Sequence, residues 1–112
     1  MSAPQLNHRL VLETRVLAPD GAGGFSESWQ ALGTLWAQIR PRAGRDANGT
    51  AGVLSVAGFK IVVRGAPQGH SGRPVAGQRF RHGARFFRIL AVTEREPDGT
   101  YLICTAEEEI AA

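Results

Sequence analysis

The residue types that most often carry catalysis are sparse in this sequence, and none is spaced for it. His8, His70 and His82 fall in three separate segments, and no cysteine or carboxylate stands at metal-ligand spacing from them. The stretch "GHSG" at 69–72 places a serine beside a histidine, but it lies in a glycine-rich loop without the strand and helix of a nucleophile elbow. No phosphate-binding glycine motif is present. We therefore expect no enzyme, no metal site and no cofactor.

The remaining nucleophile and the closing carboxylates have structural interpretations. Cys104 is the only cysteine, so it has no disulfide partner within the chain, and its apolar surroundings predict a buried thiol. Glu107, Glu108 and Glu109 stand side by side near the end of the chain. They are too similar to one another to act as an acid and base pair, so we interpret 107–112 as a solvated acidic tail.

Arginine is the one residue type whose number and placement indicate a chemistry. Residues 40–88 contain ten basic side chains against one acid, Asp46, whereas residues 1–39 carry a net charge of −1 and residues 89–112 a net charge of −5. Such segregation arises by chance in an arginine-rich genome, or it marks a surface that faces a polyanion on one side and a protein partner on the other. The ten basic residues are Arg40, Arg42, Arg45, Lys60, Arg64, Arg73, Arg79, Arg81, Arg85 and Arg88.

The elements that must position these side chains are predicted to be short strands. Leu10, Leu12, Thr14 and Val16 alternate with charged residues, which indicates a strand with one face on a core and the other, including Glu13, in water. At 112 residues with 14 glycines and 6 prolines, the chain fits one domain with many turns. We predict a mainly β fold, a single-domain antiparallel β-barrel of five to six strands. Further strand stretches are 25–29, 35–40, 59–64, 78–81, 84–93 and 101–106.

Two irregular stretches interrupt the strands. Pro41 cannot donate a ladder hydrogen bond, so the second strand should end there. Residues 41–52 show neither helical nor strand periodicity, and 53–57 fits either a strand extension or a short helical turn, so 41–57 is predicted to be a long loop between the second and third strands. Residues 65–77 form a second loop. Tight turns are expected at His82 with Gly83 and at 96–100.

Contact with nucleic acid is the function class that the composition favours. An arginine guanidinium binds phosphate through a planar fork, and a loop bearing Arg42 and Arg45 could reach a backbone that a compact barrel cannot. The aromatic residues mostly fall on strands, where core packing is expected, so stacking on single strands has little support. Of the two modes of nucleic-acid binding, sequence-independent contact with a duplex is better supported than stacking on single strands. One hypothesis for the function is therefore a free small β-barrel nucleic-acid-binding protein.

The N-terminal residues do not have the pattern of a secretory signal peptide. Its first 15 residues lack the basic start and the uninterrupted apolar stretch of a signal peptide, and no run approaches the roughly 18 apolar residues of a membrane span. We expect synthesis in the cytoplasm and no membrane partner.

The order of several longer stretches resembles a known family. The most specific parts are the spacing W-x(6)-W-A from Trp29 to Ala37, with Pro41 and Gly44 behind it, and the run R-x-F-x-x-G-x-x-F-x-I that starts at Arg79. Together with the flanking stretches they resemble the phage head-tail joining proteins, also called head-completion, stopper or head-tail adaptor proteins, of siphophages, prophages and gene transfer agents. The matching stretches are "LNHRLVLE" at 6–13, "ESWQALGTLWAQIRPRAG" at 27–44, "FKIVVRG" at 59–65, "GQRFRHGARFFRILAV" at 77–92 and "YLICTAEE" at 101–108.

The resemblance implies a structural function in a virion. Members of the family look like small β-barrels made in the bacterial cytoplasm that assemble as a six- or twelve-fold homo-oligomeric ring in the particle neck. The ring lies beneath the portal or a portal-bound adaptor protein, extends the channel for packaged double-stranded DNA, and receives the tail through its terminator or tube protein. In some members the loop after the second strand projects into the channel and helps to retain DNA.

Carried onto this sequence, the resemblance assigns positions to the charged residues. The projecting loop is 41–57, and its scarcity of bulky residues favours a basic collar over a physical plug. The residues expected to face DNA or an adjacent subunit are Arg40, Arg42, Arg45, Asn48 and Gly49, with Lys60, Arg64 and Arg73 as further basic contacts. The loop at 65–77 and the acidic residues Glu107, Glu108 and Glu109 are expected to dock on portal-side or tail-side partners.

Overall fold

Six antiparallel strands close into one barrel. The computed structural model describes residues 3–42 and 58–109, in which β1 is followed by β2, β3, β4, β5 and β6, and no helix occurs in these residues. The order around the barrel is β1-β2-β3-β6-β5-β4, with β4 paired to β1, so the predicted small antiparallel barrel is confirmed. Since these residues hold no helix, they hold none that could cross a membrane. The strands are β1 (His8–Pro19), β2 (Phe25–Pro41), β3 (Gly58–Arg64), β4 (Arg79–His82), β5 (Arg85–Glu94) and β6 (Tyr101–Glu109).

The core is built from alternate residues of every strand. In β6, for example, Leu102, Cys104 and Ala106 are fully buried while the residues between them are partly exposed, as the period of two requires. Phe59 packs edge-on against Phe87 with ring centroids 5.2 Å apart. The predicted burial of Cys104 is confirmed. The core cluster comprises Leu10, Leu12, Ala37, Ile61, Val63, Phe80, Phe87, Ile89, Leu102, Cys104 and Ala106.

The β1–β2 hairpin extends beyond the barrel. β4 pairs with β1 only at Val11–Glu13, and β3 pairs with β2 only at Ala37–Pro41. The outer part of the hairpin, Thr14–Pro19 paired with Phe25–Gln30, is therefore a two-stranded ribbon with no other strand of residues 3–42 and 58–109 on either edge. We call this part the projecting ribbon.

A β-bulge lies where the projecting ribbon leaves the barrel. Leu12 pairs with Gly33 and Glu13 pairs with Ala31, so Leu32 is an extra residue on β2. A bulge of this kind bends its strand and increases the local twist. It therefore redirects the hairpin away from the closed sheet. At the far end, the Asp20 carboxylate accepts hydrogen bonds from the N–H groups of Ala22 and Gly24 and shapes the turn.

The strand termini divide the barrel into two ends. β2 finishes and β3 begins at one end, where the N–H of Arg42 donates to the carbonyl of Gly58 over 2.9 Å; we call this the loop end. The projecting ribbon leaves from the opposite end, the ribbon end, together with the 65–77 loop. That loop is packed onto the barrel, since Pro74 is fully buried, and the N–H of Gly65 donates to the carbonyl of Thr100.

Several predicted boundaries were wrong. The stretches 25–29 and 35–40 belong to one continuous strand, and the turn after β4 is formed by Gly83 and Ala84, one residue later than predicted. β6 continues past Ala106, so Glu107–Glu109 are strand residues paired with β3 and β5, and the interpretation of these three residues as part of a solvated tail was wrong. Isolated local patterns miss such extensions because the partner strands supply the hydrogen bonds. Residues 43–57 and 110–112 lie outside the described residues.

Candidate DNA-facing and docking surfaces

A pair of like charges stands at the loop end. Arg40 on β2 and Lys60 on β3 are directly opposite each other, and both side chains are exposed. Neither forms an ion pair with a carboxylate of the described residues. Like charges directly opposite on neighbouring strands destabilise a sheet by up to about 1 kcal/mol. A bound polyanion would remove that cost.

Arg42 extends this basic pair at the entrance to the 41–57 loop. Its guanidinium lies against Gly58, where an added Cβ would come within 2.5 Å of Nη2. The glycine thus leaves room for the arginine side chain beside the backbone. Arg40, Lys60 and Arg42 together form what we call the basic collar segment. The other residues predicted to contact DNA from this loop, Arg45, Asn48 and Gly49, lie outside the described residues and stay predictions.

Arg64 and Arg73 are not brought to the basic collar segment. Arg64 ends β3 at the ribbon end, and its guanidinium carbon lies 5.7 Å from the ring centroid of Tyr101. Arg73 belongs to the 65–77 loop, where its Nη1 donates to the carbonyl of Ala66 over 2.9 Å. The predicted basic contacts therefore occupy opposite ends of the barrel, although they are close in sequence.

The carboxylates predicted to dock partners are largely engaged within the chain. Arg85 donates from Nε and Nη2 to both oxygens of Glu108, at 2.7 and 3.0 Å. The hydrogen bonds and charge of this pair lower the pKa of Glu108 and raise that of Arg85. Glu109 lies 3.7 Å from Nη1 of Arg79. Of the three, Glu107 forms no ion pair with the described residues, so it remains the better docking candidate.

The Arg85 pair also covers one end of the core. The Arg85 guanidinium carbon lies 4.9 Å from the ring centroid of Phe87 and 5.7 Å from that of Phe59. A cation over an aromatic face is attracted by the ring quadrupole. This position shields the core at the loop end while leaving the Arg85 side chain about half exposed and the Glu108 side chain 23% exposed to solvent.

The sequence analysis missed the most organised polar cluster of the barrel. Glu13 is only 7% exposed and accepts hydrogen bonds from Nε of Arg79 at 2.7 Å and from Nε of Arg81 at 3.0 Å. The Arg79 guanidinium carbon lies over the rings of both Trp29 and Phe86, at 4.1 and 4.2 Å from their centroids. The prediction that Glu13 faces water was wrong because these side chains cover it. We call these five residues the Glu13 cluster.

Opposing effects set the charge state of Glu13. Burial would raise the pKa of this carboxyl, but the hydrogen bonds and positive charges of Arg79 and Arg81 outweigh burial and lower it. Glu13 is therefore ionised at neutral pH. The only sequence signal for this pairing was the alternation of Arg79 and Arg81 on β4, which places both guanidinium groups on one face.

An apolar groove lies where β2 leaves β3. It has a volume of about 580 Å³ and is lined by Leu6, Thr34, Leu35, Trp36 and Arg64. Trp36 is 56% exposed, so the expectation that the strand aromatics pack in the core was wrong for this residue. We call this feature the Trp36 groove.

The matches to known proteins agree with this architecture. A family model described as phage head completion protein matches residues 1–109. The chain belongs to the phage head completion protein family. The resemblance drawn from the tryptophan spacing and the Arg79 run is thereby confirmed.

Solved structures extend the match to the fold. A chain from the virion of a native gene transfer agent particle is 50% identical, with a TM-score of 0.81 over 98% of this chain and 100% of that chain. The solution structure of protein SF1141 from Shigella flexneri 2a is 20% identical with a TM-score of 0.72 over the full length of both chains, which shows a shared fold. No curated protein matches.

Membership of the head completion family determines the general role. This family consists of structural virion proteins, so the chain has a structural role associated with the phage-type head and is located in the virion particle. Its contacts are accordingly with other head or tail proteins.

Proposed function

We propose that this chain is a structural connector in the neck of a tailed phage-like particle. A homo-oligomeric ring of the chain lies below the portal or its adaptor, extends the DNA channel, helps to retain packaged DNA and receives the tail. The observation that carries the DNA-facing part is the basic collar segment, where Arg40 and Lys60 stand opposite each other without a carboxylate partner among the described residues.

The charge pattern supports a collective contact with DNA. Three of the ten basic residues, Arg79, Arg81 and Arg85, form ion pairs with three carboxylates of the chain, so each copy offers few free cations in any one place. The three carboxylates are Glu13, Glu108 and Glu109. Affinity for a duplex rises with the number of phosphates neutralised together. A ring repeats the basic collar segment once per subunit around a channel, whereas one free chain presents it once.

The proposal is tested first on particles from the native host with and without this gene. Cryo-electron microscopy of the neck should show a ring that fits this barrel in the wild type, with the loop end facing the channel, and full heads without tails in the deletion. Tailed particles of normal appearance that lack the chain would overturn the connector function.

A second experiment separates the connector from a free nucleic-acid-binding protein. The isolated chain should bind duplex DNA more weakly than the roughly 10⁻⁴ to 10⁻⁶ M of ordinary non-specific binding at physiological salt, because it presents only three cations of the basic collar segment. Fluorescence anisotropy with a labelled duplex across a salt series measures this. Tight, salt-sensitive binding by the isolated chain would favour the free nucleic-acid-binding protein instead.

A charge reversal tests the DNA-facing residues. Lys60→Glu places a carboxylate opposite Arg40, so the barrel should fold at least as well as the wild type. Arg88→Glu makes the same change at an exposed position of β5 outside the basic collar segment. We expect particles with Lys60→Glu to lose nuclease-protected DNA relative to those with Arg88→Glu. Equal retention by the two variants would remove Lys60 from the channel wall.

A further inference from the structure

The tip of the projecting ribbon carries an apolar patch on one face. Leu17, Pro19 and Phe25 share that face, since Pro19 pairs with Phe25 and Leu17 is two residues before Pro19. Phe25 is 69% exposed and Leu17 is 52% exposed. Two large apolar side chains at the end of an unsupported ribbon have no packing role in the barrel itself. We call these three residues the ribbon tip.

The Trp36 groove on the same chain is apolar, like the ribbon tip, and could bind it. Its walls combine the apolar side chains of Leu6, Leu35 and Trp36 with the guanidinium of Arg64. It lies beside the stretch of β2 that has lost its β3 partner, so backbone hydrogen-bonding groups are also exposed at its rim. A groove of this kind accepts an apolar side chain on an extended segment.

The ribbon tip cannot reach the Trp36 groove of its own chain. Phe25 and Trp36 belong to the same strand, and eleven residues of extended chain separate them by about 35 Å. An occupant that resembles the tip must therefore come from another molecule.

Charge favours another copy of this chain as that molecule. The ribbon and its turn carry two carboxylates, Asp20 and Glu27, and one basic residue, Arg15. Arg15 pairs with Glu27 over 3.2 Å, whereas Asp20 at the turn forms no ion pair with the described residues and gives the tip its negative charge. The Trp36 groove presents Arg64, which forms no ion pair with a described carboxylate, and Arg9 pairs with Trp36 across the β1–β2 ladder. An acidic apolar tip and a basic apolar groove on one chain are complementary.

We propose that the ribbon tip of each subunit seats in the Trp36 groove of the next copy. This inference rests on the proposed ring and identifies the surfaces that hold it together. The contact is heterologous, because two different patches meet, and repetition of a heterologous contact generates a closed ring when the rotation between copies permits it. The Glu13 cluster supports the arrangement, since Trp29 of the ribbon is held by Arg79 of the barrel and the ribbon is thereby fixed at its base.

Cross-linking tests the pairing of the two surfaces in assembled particles. Cys104 is fully buried and should not react with a thiol cross-linker, so any cross-link forms between the introduced cysteines. The test chain carries Phe25→Cys and Thr34→Cys, both at exposed positions. A short bismaleimide is used because a disulfide requires a Cα separation below about 7 Å. The matched control chain carries Thr34→Cys with Thr93→Cys, which is exposed on β5.

The expected result is a ladder of covalent multimers from the test chain only. Dimers from Phe25→Cys alone would mean that tips meet each other, and this would overturn the inference. Absence of a ladder from tailed particles that contain the chain would also overturn it while leaving the connector function intact. Failure to find the wild-type chain in the neck would instead contradict the proposed function.

A variant of the ribbon tip provides an independent readout. Phe25→Asp alters a side chain that is mostly exposed in the barrel, so the isolated chain should keep its circular dichroism spectrum and its unfolding midpoint. Its incorporation into particles should fall at least about tenfold in competition with the wild-type chain, because burial of one phenylalanine changes affinity by that factor or more. Incorporation equal to that of the wild type would refute the contact.

Discussion

Replacing Glu13 by glutamine should destabilise the barrel far more than the same change at Glu27. Glu13 is buried and hydrogen bonded to Arg79, whose side chain is 17% exposed, and to Arg81, whose side chain is 41% exposed. A hydrogen bond to a charged group contributes about 1.5–3 kcal/mol, and a solvent-screened pair such as that with Arg81 adds less than about 1 kcal/mol. Since glutamine retains one acceptor oxygen, we expect a loss of about 2–3 kcal/mol.

Glu27 is the matched control for this change. It also lies on the β1–β2 hairpin and contacts an arginine, with 3.2 Å between Oε2 and Nε of Arg15, but both side chains are about half exposed. Exposed pairs of this kind contribute about 0–1 kcal/mol. Equilibrium unfolding in guanidinium chloride measures both variants, with a constant m-value as the check that the unfolded states are alike.

The stabilisation that Glu13 provides should depend on pH in a definite direction. A carboxyl whose pKa is lowered on folding contributes stability above its unfolded value of about 4.3, and this contribution is lost as the pH falls through the folded pKa. The gap between wild type and Glu13→Gln should therefore be largest at neutral pH and shrink below about pH 4. Equal midpoints for Glu13→Gln and Glu27→Gln at pH 7, or a gap that persists unchanged into strong acid, would refute the reasoning.

Three further predictions concern the core, a loop and the basic collar segment. Burial raises the pKa of the Cys104 thiol to about 12, so thiol reagents at pH 8 should modify it only after unfolding; labelling of the native chain would contradict this. Gly65→Ala should cost about 2–3 kcal/mol in thermal or chemical unfolding, because its Cβ would collide with a backbone carbonyl, whereas Gly69→Ala, with open space and a φ of 86°, should cost only about 1–2 kcal/mol. Lys60→Gln should stabilise the isolated chain by about 0.2–1 kcal/mol at low salt and by less at high salt, since it relieves repulsion by Arg40; a loss of stability would show that the pair is compensated.

Part of the projecting ribbon was predictable and its departure from the barrel was not. Alternation in 10–16 predicted the first strand of the hairpin, and Pro41 predicted the end of its second strand, as observed. These are local signals. The bulge at Leu32 depends on the register between two strands, and the unpaired edges depend on where β3 and β4 stop. Neither the bulge nor the position of the unpaired edges can be predicted from the residues of the hairpin alone.

The candidate sites were also predictable only in part from the sequence. Sequence reasoning named the exposed basic residues of the loop end, because Pro41 and the glycines marked the loop that they flank. It named Arg64 and Arg73 as further basic contacts, although a seven-residue strand carries Arg64 to the opposite end. It also treated Trp36 as a core residue, since a period of two does not distinguish a covered face from an open one.

By itself, the sequence determined the β class of the fold, the approximate positions of its strands, the family and the concentration of positive charge. Each of these depends on residues near one another or on a spacing along the chain. Only the tertiary structure decided which charges are free. Glu13 and Arg79 are 66 residues apart and meet because β4 closes the barrel against β1. Barrel closure places distant strands side by side in a register that the whole sheet sets. Ion pairs between residues far apart in sequence therefore form only in the folded chain, and these pairs decide which arginines are neutralised and which remain available.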